Sequence, residues 1–108
     1  MQTDRYKYQY RPEYGSDNLL IEFFAKTEDD NFIPDLLNAI KIINPKQDSI
    51  EDLWMNDEIL LKFKSDRGEF TLSKDIWGFA FIITENNQEC LKEINAILSI
   101  DPRFEKVD

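Results

Sequence analysis

Ile59-Leu60-Leu61-Lys62-Phe63-Lys64-Ser65-Asp66-Arg67-Gly68-Glu69-Phe70-Thr71-Leu72 is the stretch whose reading decides the fold. Ile59, Leu61 and Phe63 alternate with Leu60, Lys62 and Lys64. That period of two sends successive side chains to opposite faces of a strand. Asp66-Arg67-Gly68 supplies a hairpin turn, with glycine where positive φ is needed, and Glu69 to Leu72 opens the return strand. The middle of the chain is therefore predicted to seed an antiparallel sheet.

Towards the C-terminus, Asp75-Ile76-Trp77-Gly78 reads as a second turn. It leads into Phe79-Ala80-Phe81-Ile82-Ile83-Thr84, which is apolar on both faces and is expected to be a central, doubly covered strand. Asn86 with Glu89 resembles a capping box, and Leu91, Ile94, Ile97 and Leu98 recur at helical spacing until Asp101-Pro102 stops them. Arg103 to Asp108 is short enough for a last edge strand or a frayed end.

Towards the N-terminus, Asp29, Asp30 and Asn31 precede Pro34, a good helix start. Ile33, Leu36, Leu37, Ile40 and Ile43 then form an apolar stripe, and Asn44-Pro45 ends it. Leu19 to Lys26 has strand composition, and residues 5–11 alternate aromatic with polar side chains until Pro12 and Gly15 break the pattern. Residues 46–58 suit either a short turn of helix or the approach to a strand.

Helices placed between runs of strands predict one α+β domain spanning 1–108, with the tyrosine-rich strand 5–11 included. Its core would be a single, mostly antiparallel sheet of four to six strands with two helices packed on it. A ferredoxin-like βαββαβ core from residue 19 onward fits this order.

Composition narrows the chemistry. The chain has no histidine and one cysteine, Cys90. Ser-His and Cys-His nucleophile arrangements and the common metal sites all need residues it lacks. Only Gly15, Gly68 and Gly78 are available for a phosphate-cradling loop, which is too few, and no acidic loop has the spacing that calcium requires. No spacing singles out a catalytic pair among the 22 acidic residues. The expectation is a protein that is not an enzyme and carries neither cofactor nor metal. At the start of a helix Cys90 could be activated by the dipole, but its place beside the apolar stripe favours a partly buried, inert thiol.

The formal net charge is −9, and it is unevenly placed: residues 1–14 carry +1 and the rest −10. Such a surface repels nucleic acid and anionic membranes and attracts a basic protein. No stretch approaches the roughly 18 apolar residues of a membrane span, and the first residues lack a signal-peptide core, so a cytoplasmic location is expected.

Two candidate binding surfaces follow. Asp48, Glu51, Asp52, Asp57 and Glu58 crowd a segment free of basic residues, with Trp54 in its middle as an apolar anchor. Tyr6, Tyr8 and Tyr10 share one strand face, which would suit a homodimer built by strand addition, or simply the chain's own core. The expected function is a small acidic module that neutralises a basic protein partner. Bacterial immunity proteins that block a nuclease toxin are its concrete form. A nucleic-acid mimic and a homo-oligomeric accessory subunit are the alternatives.

Overall fold

The computed structural model describes residues 5–13, 15, 18–53, 57–84 and 87–107, with backbone alone at 52 and 53. Strands β1 (Tyr6–Pro12) and β2 (Leu19–Phe23) precede helix α1 (Phe32–Ala39), which is followed by a 3-10 turn at Lys41–Ile43. Next come β3 (Lys46–Leu53), β4 (Glu58–Ser65), β5 (Gly68–Asp75) and β6 (Ala80–Ile83), then helix α2 (Gln88–Ile100) and β7 (Phe104–Lys106). Among the described residues, seven strands join one sheet in the order β3-β4-β5-β6-β2-β1-β7. Every neighbouring pair is antiparallel except β1 and β7, which run parallel.

The α+β class and the two helices agree with the sequence pattern, but the sheet is larger than the four to six strands expected. The additional strand is β3, drawn from the ambiguous segment 46–58. The ferredoxin-like arrangement is not adopted. That topology interleaves strands across helical crossovers, whereas here β3, β4, β5 and β6 each pair with their successor in a meander.

Local chemistry accounts for the element ends. Ser65 pairs with Gly68 across the Asp66-Arg67 turn, and Gly68 takes φ +114, a backbone region that side chains disfavour. Asn44 adopts the left-handed conformation after the 3-10 turn. Helix α2 is capped by Asn87, whose Oδ1 accepts from the Cys90 amide at 3.2 Å, one residue beyond the expected cap. Asn86 itself lies outside the described residues. The same Asn87 donates from Nδ2 to the Arg67 carbonyl at 2.7 Å, so the cap also ties the β4–β5 hairpin to the helix.

Alternation then builds the core on one face. Tyr8, Ile21, Phe23, Leu61, Phe63, Phe70, Leu72 and Ile82 join Phe32, Leu36, Ile40, Leu91, Ile94 and Leu98 in a single buried cluster. Rings stack into its centre: Phe63 lies parallel to Phe70 at 5.1 Å, and Phe23 meets Phe32 edge-on at 5.1 Å. Both helices thus cover the same face. Among the described residues, the opposite face carries Gln9, Arg11, Glu22, Thr71, Phe81 and Ile83 and no helix. The doubly covered reading of residues 79–84 is therefore corrected: Ala80 and Ile82 are buried, while Phe81 and Ile83 are half-buried and Phe79 is exposed.

Candidate functional site

The fold spreads the acidic segment along β3 and round to the start of β4. Asp48 and Glu51 stand on β3, at the edge of the sheet, where pairing with β4 brings lysines beside them. Lys64 Nζ lies 3.8 Å from Asp48 and Lys62 Nζ 4.0 Å from Glu51, with all four side chains largely in solvent. Cross-strand pairing thus partly compensates a charge run that contains no base in sequence. Exposed pairs of this kind contribute at most about 1 kcal/mol each. The side chain of Asp52 and all of Trp54 lie outside the described residues.

Asp57 and Glu58, next to the end of β3, line a cleft of about 420 Å³. Its lining comes from three separate parts of the chain: Glu28 before α1, Asp57, Glu58 and Ile59 at the start of β4, and Lys74, Asp75 and Ile76 at the end of β5. Four carboxylate residues therefore surround one lysine over two isoleucines. The Glu58 carboxylate is engaged, accepting from Ser73 Oγ at 2.5 Å. Asp75 Oδ1 accepts from the amides of Trp77 and Phe79, at 2.9 and 3.1 Å, and so folds the turn between β5 and β6. The Ile76 amide donates to the Asp57 carbonyl at 3.2 Å, and Gly78 at φ +88 would bring a Cβ within 2.9 Å of Glu28 Oε1. These bonds fix the turn while leaving its apolar tip outside: Ile76 is 67% and Trp77 64% exposed.

Chemically, the cleft suits the side chain of a lysine or arginine. The aliphatic stem of such a residue covers Ile59 and Ile76 while its cation meets Glu28 and Asp57. Sequence reasoning missed Glu28, Asp75, Ile76 and Trp77. The three acidic stretches are far apart in the chain, and only the sheet brings them together. The signal available for Trp77 was an isoleucine-tryptophan pair at a turn tip, where burial is hardest to arrange.

The tyrosine stripe faces inward. Strand β1 is flanked on both sides, by β2 and β7. Tyr6 and Tyr8 are core residues, and Tyr10 is half-buried against that core with Lys106 Nζ 5.6 Å from its ring centre. At Tyr6, Lys7 and Tyr8 the outer edge of β1, which strand addition would use, is paired with β7. Tyr6 Oη donates to Asp35 Oδ2 at 2.7 Å, and burial pushes the Tyr8 hydroxyl up to about 12. Cys90 is fully buried, and burial raises its thiol above the ordinary value despite its place at the helix start. Among the described residues no cluster of acidic or sulfur side chains is arranged to hold a metal ion, and no helix is long and apolar enough to cross a membrane.

No family model matches the chain, and neither a curated protein nor a solved structure matches it significantly.

Proposed function

We propose that this chain is a non-catalytic binding module that captures and neutralises a basic protein partner, and that the cleft at Glu28, Asp57 and Ile76 is where the partner docks. The observation that carries the reading is the pairing of a carboxylate-rich cleft with a rigid apolar tip. Backbone hydrogen bonds to Asp75 and Asp57 fix the turn that presents the exposed Ile76 and Trp77, so a partner that buries them has little backbone left to order. Carboxylates beside them favour a cationic rim and speed its approach. The most concrete partner is a nuclease toxin, whose own nucleic-acid surface must be basic, with this chain as its immunity protein.

Co-expression with a basic nuclease domain, sought first in the neighbouring reading frames, tests the reading. The chain should protect cells and co-purify with that domain. Glu28→Lys with Asp57→Lys should weaken the complex by about 100-fold, and Trp77→Ala by about tenfold or more. Binding equal to wild type in both folded variants overturns the assignment.

A further inference from the structure

We infer that β3 is a docking edge, which takes an extended lysine- or arginine-bearing segment of the partner as an eighth strand. The inference rests on the reading of a basic partner and adds how that partner is held. Among the described residues β3 pairs only with β4, so the outward backbone groups of an eight-residue strand are left for another chain. Among the described side chains of the strand, none is buried. Residues 46–51 are all exposed, including Ile50, which is 61% accessible although it lies on the face that holds the core in neighbouring strands. The template behind it is rigid, because β4 plants Leu61 and Phe63 in the core.

Edges are commonly guarded against pairing by charges and bulges, and β3 has both. Its guard is selective. The one irregularity falls between Gln47 and Ser49, which leaves Ser49 to Leu53 in continuous register. The charges are of nearly one sign: Lys46 is the only base against Asp48, Glu51 and Asp52. Two copies of β3 brought edge to edge would bring together two segments that each carry one base against three acids, and this net repulsion makes a second copy the disfavoured occupant. A lysine- or arginine-bearing strand is attracted instead by the acidic excess that Lys62 and Lys64 offset only in part, and gains the ladder of backbone bonds. The edge leads to the cleft as well: Asp52 lies opposite Ile59 and Leu53 opposite Glu58. A strand added to β3 therefore ends where Asp57 and Glu58 begin.

The probe is a ten-residue peptide of alternating lysine and valine, compared with the same peptide N-methylated at every residue, which keeps the charge and loses the backbone donors. Fluorescence anisotropy gives affinity, and amide hydrogen exchange in the whole protein gives location. The unmodified peptide should bind at least about tenfold more tightly than the methylated one, and should slow exchange at residues 46–53. Glu51→Lys should lower its affinity by a similar factor while thermal unfolding of the protein stays unchanged. Equal binding of the two peptides, lost in the Glu28→Lys, Asp57→Lys variant, overturns strand addition and leaves the cleft reading standing. Binding of neither peptide overturns strand addition, and the nuclease assay then decides the cleft reading alone. A dimer in sedimentation whose β3 amides are already protected assigns the edge to a second copy and overturns the proposal.

Discussion

The two edges of the sheet are built on opposite plans. At one end β7 is three residues long, and Phe104 drops into the core against Tyr6 and Phe23, with ring centres 5.2 and 6.1 Å apart. Polar bonds lock that end from outside. Arg103 reaches Asp101 through two side-chain bonds of 3.0 and 2.8 Å and lies 3.8 Å from Asp35, which also accepts from Tyr6. At the other end β3 is eight residues long, sinks no described side chain, and is fastened by its ladder to β4 and two loose ion pairs. A short, anchored edge offers a stranger little to pair with. A long edge whose described side chains all lie outside the core can give up surface without losing stability.

The sharpest way to break the comparison is to truncate one apolar side chain at each edge. Phe104→Ala should cost about 3–5 kcal/mol in urea unfolding, and Ile50→Ala less than about 0.5 kcal/mol. A comparable loss at Ile50 would show that β3 is buried after all. Next in size, Gly68→Ala attacks the template behind β3. Its Cβ would fall 1.8 Å from Asn87 Nδ2, and the φ of +114 is unsuitable for alanine. Displacing Asn87 loses both the α2 cap and the hairpin bond, so about 2 kcal/mol should disappear, read as a lower urea midpoint.

The latch at the β7 edge gives a pH signature. The Arg103 guanidinium holds the Asp101 carboxyl below its ordinary value of 3.8. A group depressed in the folded state stabilises above its unfolded value, so this contribution is complete above that pH and fades as the pH falls through the folded value. Unfolding followed from pH 5 downward should show the decline, and Asp101→Asn should flatten it. The smallest effect belongs to β3: Glu51→Gln should change stability by less than about 0.5 kcal/mol at low salt, and by nothing measurable at high salt.

What could be read from the sequence follows the same division. The β4–β5 hairpin and both helices were legible because their apolar residues recur with the period of the element that buries them, as Leu61 with Phe63 and Leu91 with Ile94 do. Strand β3 was not, since Lys46 to Glu51 are all exposed and so show no alternation of apolar with polar residues. The count of strands failed there, and the topology failed with it. For the site, the acidic excess was legible but its location was not. Lys62 and Lys64 sit one strand away from the acids they offset, and Glu28, Asp57 and Asp75 share a cleft only once the meander and β2 are in place.

The sheet's pairing order also sets an order of assembly. From β3 to β6 every neighbour in space is a neighbour in sequence, so each pairing closes only a short loop. The β1–β7 ladder joins Tyr6 to Phe104, from opposite ends of the numbering, and has the costliest loop to close. The meander is therefore expected to form first, and the parallel pair last. The acidic edge would then be in place while the opposite edge is still open.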